Sequence, residues 1–227
     1  MSLTQEVEKQ QLQEIAAYWN GRADGFDAEH DTEDLGLWKQ QLKRLLGRPE
    51  EGPVLDVGTG TGFLGILLAE SGYDVAGIDI SSEMLAIAQR KAAAKNLQID
   101  FVQGACEQLP FADETFTAVV NCRVMWTLTD PDAAVREWLR ALKPGGRLVT
   151  FMRMMDIDTD AIYPSGGQQI ELPLKRARQA EYLAVYRRVG LTEIAAEELP
   201  RELSRAEDMP GWTVFYGIKR GTRYGGI

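Results

Sequence analysis

The stretch Val54-Leu55-Asp56-Val57-Gly58-Thr59-Gly60-Thr61-Gly62-Phe63-Leu64-Gly65 decides the fold. Residues 54–58 (VLDVG) are short, apolar and β-branched, the signature of a buried strand. TGTG then allows a tight turn, and FLGILLAESG is an apolar run long enough for a helix. A strand, a glycine-rich turn and a helix in this order open a βαβ unit, and such a unit presents its turn to a ligand.

Working outward, the same alternation continues. DVAGIDI (74–80) predicts a second strand and SSEMLAIAQRKAAAKN a helix, with Ser81 or Ser82 as its N-cap. IDFVQG (99–104) is the third strand and TAVVNC (117–122) the fourth. The helix in DPDAAVREWLRALKPGG opens at Asp130-Pro131 and is expected to close at Pro-Gly-Gly, before the fifth strand, RLVTFM (147–152). Beyond it, 153–176 is irregular. A helix over 178–189 follows, then LTEIAAEEL and WTVFYGIKR as two closing strands. Upstream, 3–20 has amphipathic helical spacing, NGRADGFDAEHDTED is read as a polar connecting stretch, and Leu35–Leu46 is a second helix. Strands alternating with helices predict an α/β fold with a doubly wound, mostly parallel sheet and helices on both faces. To this the reading adds an N-terminal helical cap and an insertion after strand five. One domain is expected over 1–227: a cap (1–50), a ligand-binding core (51–152) and a substrate-side insertion with closing strands (153–227).

Two glycine patterns overlap in the loop. Gly60-x-Gly62-x-x-Gly65, with Asp79 downstream, matches a dinucleotide fingerprint. Asp56-x-Gly58-x-Gly60-x-Gly62 fits a different ligand. A carboxylate at Asp56 repels a pyrophosphate but attracts the ammonium and sulfonium of S-adenosylmethionine. Asp79 suits the ribose of either ligand. Charge therefore favours the sulfonium cofactor.

VLDVGTGTGFLGILLAESG followed by VAGIDIS resembles the first two motifs of the class I S-adenosylmethionine-dependent methyltransferases. QGACEQLPFADETFTAVV and DPDAAVREWLRALKPGGRLV extend the resemblance over 54–150. The nearest branch is the small-molecule group that includes quinone-biosynthesis C-methyltransferases. The resemblance implies a Rossmann-like sheet of seven strands whose last, WTVFYGIKR, is antiparallel. It also implies S-adenosylmethionine as cofactor and S-adenosylhomocysteine as product. Asp56, Gly58, Thr59, Gly60, Thr61 and Gly62 would line or support the methionine end. Asp79 would hold the ribose hydroxyls, with Ile80 and Met84 beside the adenine. Where relatives carry an acid after the third strand's glycine, this chain has Ala105, followed by Cys106 and Glu107. Where they carry histidines after the fourth strand, it has Arg123 and Thr127. Asn121 and Cys122 are expected to face the methyl donor, and Tyr18, Trp19 and Arg22 to fold over the cofactor.

Methyl transfer from a sulfonium is an in-line displacement that positioning and desolvation can drive, so no catalytic dyad is required. The candidates for a catalytic role are His30 (the only histidine, expected in a loop), Tyr18 and Arg123. Met125, Trp126, Met152, Met154 and Met155 suit an apolar or aromatic acceptor. The 227 residues carry a net charge of −9, which argues against a nucleic-acid partner. No apolar run reaches the length of a membrane span, and the polar N-terminus does not read as a secretory signal. Two separated cysteines and one histidine support neither a disulfide framework nor a metal site. The expectation is a cytoplasmic enzyme, monomer or homodimer, acting on a small-molecule acceptor. Two alternatives stay open: a nicotinamide-dependent oxidoreductase using Gly60, Gly62 and Gly65, and a non-catalytic S-adenosylmethionine-binding protein.

Overall fold

A computed structural model describes residues 3–30, 32–154, 170–204 and 209–221, without the side chains of 3–8, 29 and 30. Helix α1 (Leu3–His30) and α2 (Leu35–Leu46) lead into β1 (Val54–Val57), α3 (Phe63–Glu70), β2 (Val75–Asp79), α4 (Ser82–Ala94) and β3 (Asp100–Gln103). Then come β4 (Phe116–Cys122), α5 (Pro131–Ala141), β5 (Leu142–Arg153), α6 (Gln179–Arg188), β6 (Thr192–Glu198) and β7 (Trp212–Ile218).

The seven strands form one sheet in the order β3-β2-β1-β4-β5-β7-β6. Strands β1 to β5 pair in parallel, and β7 runs antiparallel between β5 and β6. The strand order reverses between β1 and β4, where a doubly wound sheet opens a crevice at its carboxyl edge. One face is covered by α2 and α3 through Trp38, Leu42, Leu64 and Leu68. The other is covered by α5 and α6 through Val135, Trp138, Tyr182 and Tyr186. Strands β1 and β2 are buried along their whole length, as a sheet sheathed on both faces requires. Among the described residues, no helix is long and apolar enough to cross a membrane.

Ser81 is the N-cap of α4, its hydroxyl accepting from the Met84 N–H at 3.1 Å. Asp130 caps α5 with Pro131 at the first turn. Two expectations are corrected. Pro144-Gly145-Gly146 does not end a helix: α5 stops at Ala141, and the chain turns extended at Leu142 to pair with Phe116. The register then jumps to Ala118↔Arg147, so the Pro-Gly-Gly segment is a bulge within β5.

The second correction concerns the N-terminal region. Residues 20–30, read as a polar connection, continue α1 to His30. Gly21 and Gly25 each disfavour a helix by about 1 kcal/mol, but tertiary contacts outweigh that. The Asn20 side-chain oxygen accepts from Ser81 Oγ at 2.7 Å and from the Glu83 N–H at 3.3 Å. Asp27 accepts from Thr61 Oγ1 at 2.6 Å and pairs with Lys91 Nζ at 2.9 Å. His30 is accordingly the last residue of a helix, not part of a loop, and its side chain lies outside the described residues. Most of the expected insertion, 155–169 with Met155, lies outside them too.

Candidate functional site

A cavity of about 450 Å³ opens at the carboxyl edge of the sheet, at the strand-order reversal. Gly58 and Gly60, Asp79 and Ile80, Met84, and Cys106 with Glu107 form its wall on the side of β1 to β3. Cys122, Arg123, Val124 and Trp126 after β4, and Met152 and Arg153 on β5, form the other side. Tyr18, Trp19, Arg22 and Phe26 of α1 complete it.

The glycine loop is built from its own hydrogen bonds. Asp56 Oδ2 accepts from Thr59 Oγ1 at 2.7 Å and from the Gly65 N–H at 2.9 Å. Asp79 Oδ2 accepts from the Gly60 N–H at 2.8 Å, and its Oδ1 from the Ser81 N–H at 2.9 Å. Both carboxylates are buried. Burial pushes the Asp56 pKa up to about 7, against the lowering effect of its Thr59 and Gly65 bonds. Asp79 and Glu107 are raised by the same desolvation. The Cys106 thiol is raised by burial and by the acids around it, and the Cys122 thiol is pushed up to about 12.

Gly58 and Gly60 both adopt positive φ, 63° and 54°. A Cβ on Gly58 would meet the Val124 side chain at 2.3 Å, whereas one on Gly60 would meet nothing within 4 Å. Gly58 therefore serves close packing, and Gly60 leaves room over the loop for a ligand.

The structure sorts the expected site residues. Gly58, Gly60, Asp79, Ile80, Met84, Cys106, Glu107, Tyr18, Arg22 and Arg123 come together on one cavity. Asp56 does not face it: at 1% exposure it braces the turn to α3. Thr59 and Ala105 are also off its wall, and Thr61 and Gly62 line a neighbouring cavity of about 480 Å³. Asn121, expected to face the methyl donor, turns instead into the sheet-helix layer and donates to Thr150 Oγ1 at 2.8 Å. The Thr150 hydroxyl meets the Tyr186 hydroxyl at 2.6 Å. Alternation along β4 explains the split: Cys122 points to the cavity, so its neighbour cannot. Of the thioethers and indole, Trp126 and Met152 line the cavity, while Met125 is core and Met154 packs against it.

One cluster escaped the sequence reading. Arg153 Nη2 pairs with Glu33 Oε1 at 2.8 Å, both residues being under 9% exposed. Glu33 Oε2 accepts from the indole N–H groups of Trp38 at 3.0 Å and Trp212 at 2.9 Å. Arg153 also donates to Ser204 Oγ at 2.7 Å, and its guanidinium lies 4.7 Å from the Trp212 ring centre. Arg123 approaches the same ring at 5.2 Å, and Phe26 and Phe63 at 6.0 Å each. Members of this cluster are up to 179 residues apart in the chain, so no local pattern announces it.

Comparisons with known proteins agree with this architecture. The sequence profile of the Methyltransferase domain family matches residues 55–150. The demethylmenaquinone methyltransferase of Renibacterium salmoninarum is 34% identical over 139 residues, 60% of this chain and 57% of that protein. The demethylmenaquinone methyltransferase of Thermus thermophilus is 39% identical over 114 residues, 49% of this chain and 52% of that protein. The chain thus spans about half the length of the curated relatives it matches. In fold, it superposes with TM-score 0.71 on a chain of a Haloferax volcanii complex between the Trm112 methyltransferase activator and a methyltransferase. That match is 20% identical and covers 91% of this chain and 97% of the other. Residues 55–150 therefore match the Methyltransferase domain family, in a chain whose sequence resembles the demethylmenaquinone methyltransferases.

Proposed function

We propose that the chain binds S-adenosylmethionine in the 450 Å³ cavity and catalyses methyl transfer to a small aromatic acceptor of the quinone type. The observation that carries this reading is the paired geometry of Gly60 and Asp79. Open space lies over Gly60, and directly beside it the Asp79 carboxylate is pinned by two backbone N–H groups, with lone pairs left for ribose hydroxyls. Glu107 adds a second, partly buried acid beyond β3, so this side of the cavity attracts a cationic ligand. Ile80 and Met84 offer flat apolar contact for an adenine, and Arg22 on α1 suits the cofactor's carboxylate. Asp56, Thr59, Thr61 and Gly62 shape the loop from behind it. The Cys106 carbonyl already accepts from Trp138 Nε1 at 2.8 Å, so its backbone N–H is left to donate to an adenine ring nitrogen.

When bound, the cofactor would supply a methyl group on a cationic sulfur, the carbon–sulfur bond breaking to leave the neutral thioether as the acceptor bonds to the methyl carbon. The chain's own residues orient, desolvate and enclose. Trp19, Phe26 and Trp126 pack edge to face at 6.3 Å centre distances, and with Met152 they form an apolar wall facing the acid side. In this reading α1 is a cap, 51–152 the cofactor-binding core, and 153–227 the acceptor side of a single domain.

The oxidoreductase alternative is disfavoured by Gly65. Its N–H, at the start of α3, already donates to Asp56, so a buried carboxylate occupies the helix N-terminus that a pyrophosphate needs. Calorimetric titration with S-adenosylhomocysteine, NADH and NADPH tests the choice. Only S-adenosylhomocysteine should bind, and labelled S-adenosylmethionine should then deliver its methyl group to a quinol in an acceptor panel. Binding of the nicotinamide nucleotides alone overturns the proposal; binding without transfer to any acceptor favours the non-catalytic alternative.

A further inference from the structure

Resting on that reading, we infer that Arg123 determines acceptor specificity by holding a planar carboxylate on the aromatic acceptor. Two guanidinium groups lie against Trp212, and they differ in their counter-charges. Arg153 is neutralised by Glu33 and further bonded to Ser204. Arg123 has no ion pair among the described residues, and its side chain meets only the weakly polar Cys122 thiol as a hydrogen-bond partner. Both of these arginines line the cavity, but of the two only Arg123 brings a positive charge with no carboxylate partner among the described residues.

The surroundings of Arg123 narrow what it can hold. Phe26, Phe63 and Trp212 stand around its guanidinium at 5.2–6.0 Å from its central carbon, contacts that do not use the N–H edge as a hydrogen-bond donor. A carboxylate matches that edge with two parallel hydrogen bonds, which a hydroxyl or an amide oxygen cannot. The backbone is also committed to this placement. Arg123 has φ 63°, a conformation that costs a side-chain-bearing residue free energy, and its N–H is tied to the Phe151 carbonyl at 2.9 Å. The strain sets the guanidinium at the junction of the two cavities, both of which it lines. Asp79 and Glu107 repel an anion from the other side of the crevice, so a carboxylate enters in one orientation, with its ring against Trp19, Trp126 and Met152.

A carboxylate at Arg123 has two possible sources, the acceptor and the cofactor's own amino-acid end, and the test separates them. Protein saturated with S-adenosylhomocysteine is titrated with 2-naphthoate and 2-naphthamide, following tryptophan fluorescence. The expected result is that the carboxylate binds about tenfold or more tightly than the amide. Arg123→Met should bring naphthoate down to the amide's affinity while S-adenosylhomocysteine binds as before, and Arg123→Lys should keep part of the preference. Equal binding of the two probes to the native protein overturns the inference, as does failure of both to bind. A loss confined to S-adenosylhomocysteine in Arg123→Met overturns it too, because the carboxylate is then the cofactor's. Failure of the native protein to bind S-adenosylhomocysteine sinks the proposed function instead, and the naphthoate preference measured without it still decides Arg123.

Discussion

On the β1–β2 side of the cavity the glycine turn is braced by short-range bonds: Asp56 to Thr59 and Gly65, and Gly60 to Asp79 across 19 residues. On the β4–β5 side the wall is side chains, and its central ion pair joins Glu33 to Arg153 across 120 residues. The first side suits a ligand shared by many proteins, because any chain that forms this strand, turn and helix presents the same N–H groups. The second side is assembled from residues far apart in the chain, Glu33, Arg153 and Trp212 among them. The comparison separates a turn built by local bonds from a wall that only the packed sheet assembles.

The largest expected effect breaks the second side. Glu33→Ala leaves the buried Arg153 charge without its counter-charge and two buried indole N–H groups without their acceptor, a loss of roughly 3–5 kcal/mol of stability for a broken buried pair. Urea denaturation measures it. A change under about 1 kcal/mol would show that water reaches the cluster and that it is not an interior anchor.

Next in size is a break of the first side. Gly60→Val puts a branched side chain into the open space over the loop, where no protein atom lies within 4 Å. S-adenosylhomocysteine affinity should fall by at least about a hundredfold, while circular dichroism still reports the α/β fold. Retained affinity moves the ligand off the loop.

Asp79→Ala sharpens the same comparison. It removes the carboxylate fixed by Gly60 and Ser81, and with it the charge-assisted bonds to a ribose. The expected cost is roughly 1.5–3 kcal/mol for S-adenosylmethionine and S-adenosylhomocysteine equally, read by calorimetry. A cost borne by only one of them would place Asp79 against the reacting end rather than the ribose.

A pH profile distinguishes a brace from a ligand contact. The Asp56 pKa is raised in the folded chain, from 3.8 to about 7, so the protonated form is the one the fold prefers. Its contribution to stability is full below about pH 4 and is lost as pH rises through about 7. Asp56→Asn keeps an oxygen for Thr59 and Gly65 and cannot ionise. The native protein should therefore lose stability relative to this variant between pH 4 and 7, at about 1.4 kcal/mol for each tenfold change in proton affinity. Parallel stability curves would show that Asp56 is ionised and solvated throughout.

Much of the first side was legible residue by residue. The period-2 and apolar runs placed the strands, Ser81 and Asp130 announced their caps, and the Gly58–Gly62 spacing located the turn. The reading of Asp56 as a ligand-facing charge came from treating its side chain as free. In the fold, the Gly65 N–H lies close enough to claim it. Asn121 was misplaced by one step of alternation, which a strand's sequence does not orient unless one face is plainly polar. Helix α1 was cut short because the stretch from Asn20 onward is polar, and the partners that carry the helix through it sit on α4 and in the glycine loop.

By itself, then, the sequence determined the features that arise between near neighbours: which segments are strands and helices, where the glycine turn falls, and the carboxylate that ends the second strand. Backbone sterics, capping and hydrophobic periodicity act within a few residues, so they are written in local order. Only the tertiary structure decided which side chains share the far wall. Glu33, Arg153 and Trp212 meet because β5 and β7 lie side by side and the segment after α1 bridges to Ser204. A buried charge is stable only where its counter-charge and donors converge, and that convergence is set by the packing of the whole sheet.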